Sequence, residues 1–100
     1  MPQPYSNVVS YSKTATDDNS FRVVLADVWL REANIHCVTN SSYYGNAQDQ
    51  SATITAGDIV TFQKFNLGDL YFKNSSAGDN TTIYVVGVTM SKQEIQELIK

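Results

Sequence analysis

Apolar residues recur at every second position in short runs along most of the chain, and turn-forming residues separate these runs. In FRVVL (21–25) the period places Phe21, Val23 and Leu25 on one face, and in SATIT (51–55) it places Ala52 and Ile54 on one face. A period of two is typical of half-buried β-strands. Further strands are predicted in YSNVVSYS (5–12, an edge strand), NIHCVTN (34–40), IVTFQKF (59–65), LYFK (70–73) and TTIYVVGVT (81–89).

Seven or eight short strands with closely spaced turns predict an all-β fold. We expect a compact β-sandwich or jelly-roll-like barrel of antiparallel strands, with residues 1–100 forming one domain. The segment DVWLRE (27–32) fits either a helical turn or a strand. Met-Pro-Gln-Pro at 1–4 is predicted to be an exposed arm, because proline lacks the N–H that a central strand needs.

Two segments depart from simple alternation. TTIYVVGVT is apolar on both faces, which predicts a central strand covered on each side by a second layer or by a partner. At the end of the chain, SKQEIQELIK predicts a short amphipathic helix over 91–99, with Ser91 and Glu94 forming a capping box. So short a helix is unstable alone and must dock on its own sheet or on a neighbouring subunit.

Composition and charge exclude several classes of function. The net charge is −3, and the seven Lys and Arg residues are scattered singly, so we expect no nucleic-acid interface. The apolar runs are a few residues long, which predicts no membrane span. A single cysteine permits no internal disulfide, and we find no signal-peptide pattern; both features predict synthesis in a reducing cytoplasm.

Candidate chemistry is sparse, and we predict no catalytic residue, metal site or cofactor. His36 and Cys37 are neighbours on a predicted strand, so their side chains point to opposite faces and cannot share one zinc ion. Cys37 is expected to be a small buried residue. The aromatic residues Trp29, Tyr43 and Tyr44 could stack on a sugar, or they could pack in the core or at a subunit interface.

An ordered series of turn-and-strand motifs suggests a family. The series is Tyr-Tyr-Gly at 43–45, SATIT, Ala-Gly-Asp at 56–58, IVTF, NLGDLY at 66–71 and IYVVGV at 83–88. It resembles small structural proteins of tailed viruses and their proviruses. Those proteins commonly run an aromatic residue, any residue and Gly, then Leu-x-x-Gly-Glu/Asp, Leu-x-x-Leu-Tyr and a valine-rich strand. The resemblance covers residues 20–90, and the helix from 91 departs from it.

The resemblance implies a non-enzymatic protein of the virion, made in the host cytoplasm. Its place would be the outside of the particle, as a capsid decoration, head-fibre or tail-associated subunit. Its partners would be other copies of itself, with a trimer favoured, and other virion proteins such as the major capsid protein. The expected interface residues are Tyr84, Val86, Val88, Ile95, Leu98 and Ile99.

Two alternatives remain from the sequence. The first is a carbohydrate-binding or receptor-binding module that uses Trp29, Tyr43 and Tyr44. The second is an enzyme of cupin-like shape. The lone His36 counts against the enzyme, because cupin metal sites use several histidines.

Overall fold

The protein folds into two four-stranded antiparallel sheets and one short C-terminal helix. The computed structural model describes residues 8–99. The elements are β1 (Val8–Thr14), β2 (Phe21–Arg22), β3 (Trp29–Val38), β4 (Ser42–Gly45), β5 (Ala52–Ile54), β6 (Ile59–Asn66), a 3-10 turn (Leu67–Asp69), β7 (Tyr71–Asn74), β8 (Thr82–Thr89) and α1 (Lys92–Ile99). The predicted all-β fold with a C-terminal helix is confirmed. The predicted arm at 1–4 lies outside the described residues.

The chain alternates between the two sheets. The first sheet has the strand order β1-β8-β3-β6, and the second has the order β2-β7-β4-β5. Apart from the β4–β5 hairpin, every connection between successive strands crosses from one sheet to the other. This winding is of the jelly-roll kind, in which sequence neighbours build opposite walls of one core.

The inner faces of both sheets meet in an apolar core. The first sheet contributes Leu30, Ala33, Ile35, Cys37, Ile83 and Val85, and the second contributes Ile54 and Phe72. Each of these side chains is 0–1% exposed. The period of two in NIHCVTN therefore correctly predicted that the side chains of Ile35 and Cys37 point inward from β3. The ambiguous segment 27–32 resolves as the start of β3, which begins at Trp29.

An irregularity interrupts the first sheet close to where β3 begins. The β3–β8 register passes from Leu30 opposite Thr89 to Glu32 opposite Val88, so Arg31 is an extra, bulged residue. On the other side of β3, Lys64 has a left-handed φ of 53°. As a result Phe62 and Phe65, three residues apart, both pack against the core.

Two predicted inward positions are wrong. Only Phe21–Arg22 of FRVVL is paired, and Leu25 is 78% exposed, because the chain leaves the sheet after Arg22. Ala52 is exposed while Ile54 is buried, since β5 is a three-residue edge strand that covers little of the core. The predicted edge position of the first strand is confirmed for its described residues by β1, which pairs with β8 alone.

A polar network around the buried Asn74 and Thr81 closes the end of the barrel where β4 begins. The Asn74 amide nitrogen donates to the Asp18 carboxylate at 3.0 Å and to the Asn80 side-chain oxygen at 2.9 Å. The Asn74 side-chain oxygen accepts from the Thr81 backbone N–H at 3.0 Å. The hydrogen bond from Asn74 is the main cause that holds the pKa of Asp18 below its ordinary value, and a 2.9 Å hydrogen bond from the Gly78 N–H adds to the effect.

A strained turn lies beside this network, between β3 and β4. The Asn40 N–H donates to the Val38 carbonyl oxygen at 2.9 Å, two residues back, and the residue between them, Thr39, has a φ of 74°. This is a γ-turn with a positive φ, a rare and strained form. A β-branched residue in that region is a genuine outlier. The turn places Asn40 so that its amide nitrogen reaches the Asn80 carbonyl oxygen at 2.9 Å.

The capping box predicted for the helix is confirmed. The Ser91 N–H donates to the Glu94 carboxylate at 2.9 Å, and the Glu94 N–H donates to the Ser91 hydroxyl at 3.2 Å. None of the described residues of α1 is buried, and Leu98 and Ile99 are 41% and 62% exposed. Within residues 8–99, no helix is long and apolar enough to cross a membrane.

Candidate docking surface and end cavity

The outward side of the first sheet, which we name the outer face, carries exposed apolar side chains in its centre. Cross-strand pairs on this face join Val8 to Val88, Ser10 to Val86 and Ser12 to Tyr84. Val8, Tyr84 and Val86 are 72%, 46% and 49% exposed. Tyr84 and Val86 belong to β8, which lies between β1 and β3, and Val8 belongs to the edge strand β1, so the stripe runs along β8 and reaches that edge of the sheet.

The side chains that border the stripe are polar, and most of them are uncharged. Asn34 lies opposite Val86, and its side-chain oxygen accepts a 2.7 Å hydrogen bond from the Thr61 hydroxyl on the next strand. Glu32 lies opposite Val88 and carries the one carboxylate among the cross-strand pairs of this face. A shallow groove of about 420 Å³ follows the stripe, lined by Val8, Arg31, Glu32, Ala33, Asn34, Val86, Gly87 and Val88.

The bulged Arg31 links this groove to the helix. Its guanidinium donates two hydrogen bonds of 2.7 Å to the two carboxylate oxygens of Glu94. These bonds are the main cause that lowers the pKa of Glu94 from 4.5 to about 2, and the Ser91 N–H adds to the effect. The pKa of Arg31 is raised by the same pair. Both side chains are partly exposed, so the pair orients α1 more than it stabilises the fold.

The structure places the six predicted interface residues in two patches. Tyr84, Val86 and Val88 lie together on the outer face, and Ile95, Leu98 and Ile99 lie on α1. The predicted central position of β8 is confirmed, and of the cover predicted on each side the inner one is found, since Ile83 and Val85 are fully buried against the second sheet. Its outer side is not covered by any residue that the structure describes. Whether either patch is an interface stays a prediction.

The three predicted sugar-stacking residues are not brought together. Tyr43 and Tyr44 are successive residues of β4, so their side chains leave opposite sides of the second sheet. Tyr44 packs inward, edge-on to Phe62 at 5.7 Å between ring centroids. Trp29 begins β3 in the first sheet, paired with Asn66. A single stacking platform of Trp29, Tyr43 and Tyr44 is therefore not formed.

A wide-open depression of about 390 Å³, which we name the end cavity, lies where the end of β4 faces β6 of the other sheet. Its lining residues are Tyr44, Gly45, Asn46, Phe62, Phe65, Asn66, Asp69 and Leu70. Of these, the sequence pointed to Tyr44 alone as a ligand contact. Phe65 was missed because its inward direction depends on the left-handed Lys64, and a lysine gives no sign of a positive φ.

His36 and Cys37 point to opposite faces of β3, as the alternation predicts. His36 lies on the outer face between Tyr84 and Ile59. Cys37 is fully buried; its thiol donates to the Asn40 carbonyl oxygen at 3.0 Å, and burial raises the pKa of the thiol. Among residues 8–99, no group of three or more His, Cys, Asp and Glu residues could hold a metal ion.

Comparison with known proteins identifies the fold class alone. No protein-family model matches the chain, and no curated protein matches it significantly. Among solved structures, the chain is similar to an RmlC-like cupin family protein with a double-stranded β-helix fold from Methanocaldococcus jannaschii. The TM-score is 0.59 at 10% identity, over 93% of this chain and 76% of that chain. The jelly-roll-like architecture is therefore shared with a cupin. An identity this low carries no site residue from one protein to the other.

Proposed function

We propose that this protein is a non-enzymatic structural protein of a virus particle, most simply a capsid-decorating or stabilising subunit that docks on neighbouring virion proteins. The motif series from residue 43 to residue 88 supports the viral setting through its resemblance to small proteins of tailed viruses. The outer face supports docking, and its exposed apolar stripe is the observation that carries the proposal.

The exposed apolar side chains of the stripe are not needed to form the core of the fold. The inner side of β8 already supplies the buried Ile83 and Val85, and the outer side adds Tyr84 and Val86, each about half exposed. An ordinary solvent-facing side of an antiparallel sheet is polar. Contiguous exposed apolar residues with a polar rim mark interaction surfaces. An aromatic residue in the centre and few charges are also the composition of interface cores.

The size of the outer face favours many weak contacts over one strong contact. Four strands of about seven residues present roughly 400 Å². Each partner in a stable interface contributes about 800 Å². Covering the exposed half of Val86 contributes on the order of 1 kcal/mol. One such contact is weak, but a subunit that binds several neighbours on a lattice gains from multivalency. The helix patch of Leu98 and Ile99 offers a second contact of the same kind.

A co-sedimentation experiment with particles from the source organism tests the proposal. The protein should pellet with the particles in many copies, counted by quantitative mass spectrometry. Tyr84→Lys should reduce the copy number, because it places a charge in the centre of the stripe. Tyr43→Lys is the matched control: it is the same substitution at a 36% exposed tyrosine on the outward side of the other sheet.

Each outcome decides a separate part of the proposal. Absence of the wild-type protein from the particles would remove the virion role. Equal loss with both lysine variants would keep the virion role and remove the outer face as its contact surface. Wild-type copy numbers with both variants would mean that the outer face is not the contact surface and that α1 is the next candidate. Deletion of residues 91–100 should then weaken assembly and leave the β-sheet circular dichroism signal unchanged.

A further inference from the structure

The cavity at the end of the barrel has aromatic walls supplied by both sheets. Tyr44 from β4 meets Phe62 from β6 at 5.7 Å and 78° between ring planes, and Phe62 meets Phe65 at 5.2 Å. All three rings are partly buried against the core and also line the cavity. The left-handed Lys64 between Phe62 and Phe65 is what brings both rings to the same side of β6.

The side-chain groups of Asn66 and the side-chain oxygen of Asn46 already have partners. The Asn66 side-chain oxygen accepts from the Val28 and Gly68 N–H groups, at 3.0 and 2.9 Å, and its amide nitrogen donates to Asp27 at 2.9 Å. The Asn46 side-chain oxygen accepts from the N–H groups of residues 48 and 49, both at 2.9 Å. These bonds fix the walls and leave those groups with little capacity for a ligand.

Asp69 differs from these groups. It is the one lining residue that carries a carboxylate, follows Gly68 in the 3-10 turn and is exposed. Within residues 8–99, no hydrogen bond or salt bridge engages this carboxylate. The nearby Arg22 guanidinium donates instead to the Gly68 carbonyl oxygen at 3.3 Å and lies over the Tyr71 ring, 5.4 Å from its centroid. The charge lining the cavity is therefore negative.

We propose that this cavity binds a small organic cation, an ammonium group carried on a compact apolar body. Aromatic rings attract cations through their negative faces and also accept the apolar body of a ligand. The Asp69 carboxylate would accept a charge-assisted hydrogen bond from the ammonium N–H. The space of about 390 Å³ is wide open to solvent, and one ring with a short side chain could lie in it against the aromatic walls. The carboxylate and the net charge of −3 both disfavour anions.

Three probes with the same body and different charge test the proposal: phenethylammonium, 2-phenylethanol and phenylacetate. Binding would be followed by ¹H–¹⁵N correlation spectra of the full chain and by calorimetry. The ammonium should bind most tightly, with the largest shifts at the amides of Tyr44, Phe62, Phe65 and Asp69. The neutral alcohol should bind more weakly, and the anion most weakly of the three.

Two variants examine the two parts of the site. Asp69→Asn should lower the affinity for phenethylammonium about threefold to fivefold, as expected for an exposed charged pair, and leave 2-phenylethanol unchanged. Asp58→Asn removes the same charge at an exposed turn outside the cavity and is the matched control. Phe65→Leu keeps an apolar wall and removes the ring face, so it should reduce the preference for the cation over the alcohol.

Several results would overturn the proposal. With the wild-type protein, these are equal affinity for phenylacetate and phenethylammonium, no binding of phenethylammonium at millimolar concentration, or amide shifts confined to residues outside the cavity. With the variants, it is an equal change in phenethylammonium affinity for Asp69→Asn and Asp58→Asn. The dispersion of the same spectra reports whether each variant is folded. The cavity and the outer face share no lining residue, so Tyr84→Lys should leave phenethylammonium binding unchanged. Failure of this proposal and failure of the proposed docking function can therefore be told apart.

Discussion

Replacing Thr39 with glycine should stabilise the protein, although glycine in an ordered segment usually destabilises. Thr39 is exposed, and its φ of 74° is a conformation that β-branched residues rarely adopt. Backbone strain of this kind costs about 1 to 3 kcal/mol. Glycine removes the strain and adds roughly 0.5 to 1 kcal/mol of entropy cost on folding. The net gain in the free energy of unfolding is about 1 kcal/mol, which raises the Tm of a domain this size by about 4 to 8 °C.

Urea and thermal unfolding of the variant would measure this gain. Thr39→Ala is the first control: it keeps a Cβ, and therefore most of the strain, and should give little stabilisation. Thr53→Gly is the second: Thr53 is an exposed threonine in β5 without a positive φ, so glycine there should destabilise by about 0.5 to 1 kcal/mol. If Thr39→Gly lowers the Tm as Thr53→Gly does, the strain assigned to the turn is wrong.

Three further predictions concern other parts of the fold. Gly45→Ala should destabilise by about 1 to 3 kcal/mol in urea, because a Cβ there would lie 2.0 Å from the Asp49 carbonyl oxygen; an unchanged midpoint would contradict this close approach. Asn74→Ala should cost about 1 to 3 kcal/mol for the unpaired Thr81 N–H alone, and wild-type stability would mean that another acceptor replaces it. The pKa of Glu94 is lowered in the folded protein, so the stability that its ionised carboxylate contributes is complete above pH 4.5 and is lost as the pH falls toward about 2. The amide shifts of α1 should change over that pH range, and Glu94→Gln should abolish the change.

Features that depend on neighbouring residues in the chain were predictable from the sequence. The inward side chains of β3, the central position of β8 and the capping box of Ser91 follow from periodicity and local hydrogen bonding. The strand predicted over FRVVL (21–25) was largely wrong because its pairing depends on distant segments. Its alternation suits a strand, but after Arg22 the chain leaves the sheet, and a local pattern cannot report which neighbours are available.

The end cavity could not be predicted from the sequence because its Phe65 wall depends on the left-handed conformation of Lys64, which lysine does not favour. The bulge at Arg31, which lines the groove of the outer face, likewise has no signal in the residue type. The buried asparagines were missed for a related reason. Asn66 and Asn74 stand in sequence contexts typical of turns, yet they are 8% and 4% exposed because their partners come from distant segments.

The low charge of the outer face determines how its contacts would respond to the surrounding medium. Ion pairs between exposed groups are screened over about 10 Å at 0.1 M salt, whereas apolar contact is not. Binding through the stripe of Val8, Tyr84 and Val86, which is bordered by serine and asparagine, should therefore have similar affinity at low and at high salt concentration. Sulfate and phosphate would strengthen the contact, because such salts favour apolar burial. Any assembly joined through this face would keep its subunits in media of very different ionic strength.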